Sequence, residues 1–232
     1  MIAAIINPVK HKPISRIINR IILIMNDIHS ITFSPLGASQ YVKPLSMNYV
    51  QNGVPKKWDL MKIHDSVSIL MYNVTRKVLV FVRQFRPAVY CASIPEEDRK
   101  SPIDTTKYPL EKGFTLELCA GIVDKDKSLE EIAREEALEE CGYDIPVSCL
   151  KKVLSYRSGI GVTGDLQTLY FAEVEDKMRI TTGGGNEHEG EFIEVVELTV
   201  PEVKKYIESG NVNSPGGFLF ALMWFFHNKS VL

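Results

Sequence analysis

An α+β fold is predicted for this 232-residue chain by three observations. Apolar, β-branched runs recur along it without the regular strand–helix alternation that βαβ units produce. One central segment carries a helical period with a start signal and a stop signal. Apolar residues make up 45% of the chain and charged residues 24%, a composition that supplies a full core for one substantial domain.

Residues 44–49 and 58–64 read as short strands joined through Gln51-Asn52-Gly53 and Pro55. Runs at 67–72 and 78–85, separated by 73–77, suit a hairpin. The polar stretch 93–113, punctuated by Pro95, Pro102 and Pro109, is expected to be a long surface loop. A strand at 114–119, a loop at 121–127 and a helix at 128–141 come next. Strands are expected at 150–156, 167–174 and 192–198, with Gly183-Gly184-Gly185 opening a loop before the last. Helices are expected at 201–209 and 216–227. The chain divides into an extension (1–24), N-terminal strands (25–64) and a principal domain (65–232).

Net charge is −2, which gives no global electrostatic case for binding nucleic acid or an anionic membrane. No apolar run approaches the ~20 residues needed to span a bilayer. Cys91, Cys119, Cys141 and Cys149 form no C-x-x-C pair and no zinc spacing, so they read as buried free thiols in a reducing compartment, with the cytoplasm expected. Residues 1–24 hold Lys10, Lys12, Arg16 and Arg20 and no acidic residue. They read either as a mitochondrial transit-like segment or as an extra helix or tail.

The central helix carries the chemistry. Ser128 followed by Glu131 forms a capping-box pattern, and Gly142 after Cys141 is a stop. Counting about 100° per residue from Leu129, Ile132, Ala133 and Ala137 fall within roughly 80° and define an apolar face. Glu136 and Glu140 fall within about 20° of its centre, and Glu139 lies at its edge. Unpaired carboxylates there are costly and repel one another. A hard divalent cation such as Mg²⁺ removes both costs, because it takes oxygen ligands and shares its site with substrate phosphates. A partly exposed acidic helix is the other reading of the same pattern.

The stretch Gly121-Ile-Val-Asp-Lys-Asp-Lys-Ser-Leu-Glu-Glu-Ile-Ala-Arg-Glu-Glu-Ala-Leu-Glu-Glu-Cys-Gly-Tyr143 resembles the Nudix box, G-x5-E-x7-R-E-U-x-E-E-x-G-U, with U apolar. The match runs through Gly121, Glu136, Ala137, Glu139, Glu140, Gly142 and Tyr143. The resemblance implies a Nudix fold, a mixed β-sheet sandwich flanked by helices with a small antiparallel N-terminal sheet. It also implies Mg²⁺, with Mn²⁺ as an alternative, on Glu136, Glu140 and the Ala120 carbonyl, assisted by Glu139. Two positions depart from the pattern. Lys127 stands where it has glutamate, and Glu135 where it has arginine. Arg134 points about 100° away from Glu135 and is a poor substitute, so rate and metal affinity are expected to suffer more than reaction class.

Further segments are similar to the UDP-glucose pyrophosphatase branch of the ADP-ribose pyrophosphatase group. They are Lys43-Pro-Leu, Tyr49-Val-Gln-Asn-Gly-Val-Pro-Lys-Lys-Trp58-Asp, Gln84-Phe-Arg86-Pro-Ala-Val-Tyr90, Glu117-Leu-Cys-Ala-Gly121 and Ser158-Gly-Ile-Gly-Val-Thr-Gly164. The resemblance implies hydrolysis of UDP-glucose to UMP and glucose 1-phosphate, with ADP-ribose the rival substrate and a catalytically weak nucleotide-binding protein the rival class. It implies a homodimer formed through the N-terminal sheet. It places Arg86, Glu117, Trp58 and Gly161 against substrate, Glu189 as general base on a mobile loop, and Glu191 as a second metal or water contact.

Overall fold

The computed structural model describes residues 28–39, 42–100, 102–186 and 190–229. Its α+β architecture is a large mixed sheet covered by helices on both faces, with a separate two-stranded antiparallel sheet N-terminal to it. The expected extension 1–24 lies outside the described residues.

Strands β1 (Lys43–Gln51) and β2 (Val54–Lys62) make the small sheet. Asn52 and Gly53 turn between them with φ of 54° and 78°, the left-handed pair that a two-residue hairpin requires. Both strands are longer than expected, because a continuous register from Lys43↔Lys62 to Gln51↔Val54 carries pairing through Pro55. Leu45, Met47, Val50, Val54 and Trp58 are exposed on this hairpin.

The large sheet is organised about β3 (Ser66–Asn73) and β4 (Val78–Phe85). Val67, Ile69 and Met71 enter one core and Leu70 and Tyr72 the other, so β3 is buried on both faces. This explains its near-continuous apolar run. Only Met71–Asn73 of β3 pair with β4; beyond Met71 the two strands part. The gap is filled by a single stretch of chain that changes partner midway. Strand β5 (Phe114–Glu117) pairs with β4, and β6 (Cys119–Ile122) pairs with β3. The single strand expected at 114–119 is therefore two, broken at Leu118. The loop expected from 121 begins only after Ile122, because Gly121 and Ile122 are held by Val67 and Ser66. Strand β7 (Lys151–Arg157) is antiparallel to β8 (Leu166–Val174), β8 is parallel to β3, and β9 (Glu194–Thr199) closes the far edge on β4.

The stretch 93–113, expected as one long loop, is more ordered than its composition suggests: it holds single helical turns at Glu96–Asp98 and Leu110–Gly113 and packs against the helix that precedes it. Helix α1 (Pro87–Ala92) starts directly after Arg86, with proline in its first turn. Tyr90, Ile94, Ile103 and Tyr108 then form a small core of their own, with the Tyr90 hydroxyl donating to Tyr108 O at 2.6 Å. Four scattered apolar residues have no period that would reveal this packing.

Helix α2 (Leu129–Cys141) covers one face of the sheet through Ile132, Ala133 and Ala137. Its capping box is formed in both directions, and Gly142 ends it at φ 78°. The Gly142 N–H donates to Leu138 O and the Tyr143 N–H to Ala137 O, each at 3.0 Å. A β-carbon at Gly142 would lie 2.2 Å from the Thr181 carbonyl oxygen. Gly142→Ala therefore combines left-handed strain with a backbone clash. It is expected to cost at least about 2 kcal/mol, seen as a melting temperature lowered by roughly 4–8 °C. An unchanged melting temperature would refute this account of the helix stop. Helices α3 (Val200–Glu208) and α4 (Gly216–Asn228) cover the other face, where Phe218, Leu222 and Phe225 pack on Leu70, Leu79 and Phe81. No helix among the described residues is long and apolar enough to cross a membrane.

Candidate active site

The site lies where β3 and β4 separate. β5 ends there in Glu117, β6 carries Ala120 and Gly121, and the C-terminal half of α2 lies across both. Glu140, at the centre of the helix's apolar face, is 3% exposed. Its Oε2 accepts the Ala120 N–H at 2.9 Å, and the Cys119 thiol is hydrogen-bonded to it as well. Burial raises the Glu140 pKa to about 8, against these two donors and with the charges of Glu136 and Glu191 adding to the rise. Glu136, one turn earlier, is pushed up to about 7 by burial and then by the charge of Glu139. Its carboxyl group lies over Gly121, where a β-carbon would come within 2.1 Å of Glu136 Cδ. The glycine of the motif is thus explained by packing: only a residue without a side chain leaves room for this carboxylate.

Glu117 is 7% exposed and lies on the same side of the sheet. Arg86 grips it with two parallel hydrogen bonds, Nε to Oε1 at 2.8 Å and Nη2 to Oε2 at 2.7 Å, while Thr115 Oγ1 donates to Oε1 at 2.5 Å. Burial works against the Glu117 charge, but the Arg86 fork and the Thr115 hydroxyl outweigh it and hold its pKa below the usual carboxylate range. The Arg86 guanidinium also feels Glu140 and Glu191, so it borders the carboxylate group while part of it stays open to solvent.

The glycine-rich segment completes the surroundings. Gly184 N donates to Glu140 O at 2.9 Å and Gly185 N to Glu139 O at 3.2 Å, satisfying carbonyls that the end of α2 leaves open. A β-carbon on Gly183 would lie 2.4 Å from Glu140 O. These glycines are therefore a docking strip on the helix and not only a flexible loop. They lead to Glu191, whose amide donates to Asn186 O at 3.1 Å and whose charge reaches Glu136 and Glu140.

Of the residues expected at the site, the structure brings together Arg86, Glu117, Ala120, Glu136, Glu140 and Glu191. Ala120 takes part through its amide, which holds Glu140. Glu139 is exposed one residue before Glu140. Glu189 lies outside the described residues. Trp58 and Gly161 meet each other, Trp58 Nε1 donating to Gly161 O at 2.8 Å, and so link the N-terminal hairpin to the 158–164 turn. Cys119 was legible only as a buried thiol, which it is; its bond to Glu140 had no signal in the sequence. Cys141 is buried too, Cys91 is half-buried and Cys149 is exposed.

Among the described residues no three His, Cys, Asp or Glu side chains close into a metal-ligating group. The donor set nevertheless fits a hard divalent cation. Two desolvated carboxylates share one helix face, and among the described residues no cation is bonded to either, so a divalent ion offsets both their burial and their mutual repulsion. Their raised pKa values have a consequence for stability. A glutamate whose folded pKa exceeds its unfolded value stabilises the fold below the unfolded value, and that contribution is lost as pH rises through the folded one. In chelator the melting temperature is expected to fall between pH 5 and 8, and Mg²⁺ to restore it more at pH 8 than at pH 6. A metal-induced rise independent of pH would contradict the burial of these carboxylates.

The sequence has counterparts among known proteins. The chain is 44% identical over 213 residues to uridine diphosphate glucose pyrophosphatase NUDT14 of Bos taurus, covering 87% of this chain and 96% of the relative. Against the Mus musculus protein of the same name the identity is 40% over the same shares. A GDP-mannose pyrophosphatase of Salmonella arizonae is 38% identical over 149 residues, 64% of this chain and 66% of the relative. No family model matches the chain. A carboxylate-bearing helix closed at Gly142, Gly121 clearing space for Glu136, and relatives that align along nearly their whole length place this chain in the Nudix hydrolase family.

Proposed function

We propose that this protein hydrolyses the pyrophosphate bond of a nucleoside-diphosphate sugar in the presence of Mg²⁺, with UDP-glucose, giving UMP and glucose 1-phosphate, as the favoured substrate. The observation that carries this reading is the pair of desolvated carboxylates, Glu136 and Glu140, beside the half-open Arg86–Glu117 fork. The names of the relatives support the substrate class.

Glu136 and Glu140 would hold the metal ion together with the Ala120 carbonyl, Glu139 assisting, and Mn²⁺ would fit the same oxygen donors. When bound, such an ion neutralises diphosphate charge and lowers the pKa of a coordinated water. The chain supplies the rest. Arg86, oriented by Glu117, presents its free N–H groups to phosphate oxygens. A carboxylate at the foot of the glycine-rich segment, Glu189 or Glu191, takes the proton of the attacking water. The water oxygen bonds to one phosphorus as the bridging P–O bond breaks, and the departing phosphate carries away the bond's electrons. Trp58 and Gly161 would border the substrate from the hairpin side. We assign the exposed apolar residues of the β1–β2 hairpin to a homodimer contact, and the protein to the cytoplasm.

The test is a side-by-side comparison of kcat/KM on UDP-glucose, GDP-mannose and ADP-ribose, with Mg²⁺ and with chelator, resolving the products. Metal-dependent release of UMP and glucose 1-phosphate at the highest kcat/KM is expected. A preference for ADP-ribose would move the protein to the other substrate class. Tight nucleotide binding with no turnover on any of the three would replace the enzyme reading by a binding one.

A further inference from the structure

The two departures from the Nudix pattern meet in the structure. The Lys127 ammonium donates to one carboxylate oxygen of Glu135, and Lys125 Nζ lies 3.6 Å from the other. Each position carries the charge opposite to the pattern's, so the net charge of the pair is unchanged. Within the helix the neighbours of Glu135 at i±4 are Glu131 and Glu139, a row that would otherwise repel. Glu131 is engaged with Ser128 in the capping box. The cations that relieve Glu135 therefore come from the loop.

That loop is held at both ends. The Val123 N–H donates to Asp65 O at 2.8 Å, and Ser128 caps α2. Between them the Lys127 N–H donates to Lys125 O at 3.0 Å, a tight turn that delivers both ammonium groups to Glu135. The same loop joins Gly121, on which the Glu136 carboxyl rests, to the helix that carries Glu136. We infer that Lys127 and Glu135 form a charge-inverted clamp between this loop and α2 that positions Glu136 for the divalent cation. The inference rests on the metal role proposed above for Glu136. Lys127 and Glu135 are positioning residues here, with Lys125 reinforcing the contact.

A clamp and a mere electrostatic field differ in sign. Lys127→Glu adds negative charge near the metal carboxylates, so a field effect alone would tighten Mg²⁺ binding; Glu135→Arg would weaken it. A clamp predicts that both weaken it. The experiment titrates Mg²⁺ without substrate into the full chain, by calorimetry and by melting temperature. The variants are Lys127→Glu, Glu135→Arg, the double exchange, and Lys127→Met, which cuts the pair without creating repulsion. Each single reversal is expected to weaken Mg²⁺ about fivefold or more, with the double exchange returning to within about twofold of wild type. Lys127→Met should weaken it to a smaller extent, and it covers the case in which a reversal unfolds the chain. Tighter binding by Lys127→Glu or Lys127→Met, or a double exchange no better than the worse single, would overturn the clamp alone. A wild-type chain that takes up no Mg²⁺ would overturn the metal reading and the clamp with it.

Discussion

Glu140→Gln is expected to lower turnover by roughly three orders of magnitude while leaving the fold intact. A metal ion at the reacting phosphate contributes several kcal/mol to transition-state stabilisation, and each 1.36 kcal/mol is a factor of about ten. The substitution keeps the local hydrogen bond, because the glutamine carbonyl oxygen replaces Oε2 as acceptor of the Ala120 N–H. It also removes the charge whose burial raises the Glu140 pKa to about 8. In chelator at pH 8 the variant should therefore be as stable as wild type or more so, while its response to Mg²⁺ disappears. Kinetics on the favoured substrate and melting curves with and without Mg²⁺ check both halves. Wild-type-like rates in a folded variant would remove Glu140 from the metal site. A collapse of stability in chelator would make it a structural residue instead.

Gly121→Ala should damage function to a smaller extent and by a steric route. The new β-carbon would sit 2.1 Å from Glu136 Cδ and 2.2 Å from its Oε1. The obstructed atoms are the end of a flexible side chain, so the carboxylate can swing aside and the fold pays little. The displaced carboxylate is the one proposed to hold the metal, so the loss should concentrate there, at about 10–100-fold in the Mg²⁺ concentration for half-maximal rate. A Mg²⁺ titration of activity, with melting curves as the control for folding, decides it. An unchanged titration would mean that the position of Glu136 over Gly121 has no bearing on metal binding.

Much of this site is readable in one dimension because it is local. The capping box at Ser128, the stop at Gly142 and two carboxylates in the middle of an apolar stripe all follow from the 3.6-residue period, and the structure has them as that period requires. The two-residue turn at Asn52-Gly53 is legible for the same reason, since few residues accept left-handed φ. The strand break at Leu118 is not, because it depends on β3 and β4 separating and offering the same stretch two different partners. Helix α1 and its small core are hidden for a related reason: Tyr90, Ile94, Ile103 and Tyr108 converge from positions with no common period.

Charge shows the division most clearly. Read along the chain, Lys127 and Glu135 are two separate departures that threaten the site; in space they are a single ion pair. Gly183-Gly184-Gly185 reads as a flexible opening, yet its amides satisfy the last carbonyls of α2 and bring Glu191 toward Glu136 and Glu140. Sequence by itself determined the fold class, the helix that carries the carboxylates and the face they occupy, because backbone periodicity and capping are short-range properties. Only the tertiary structure decided which charges neutralise each other, which carboxylates lose their water, and why Gly121 must lack a side chain. Those depend on distances between segments far apart in the chain, and composition does not encode such distances.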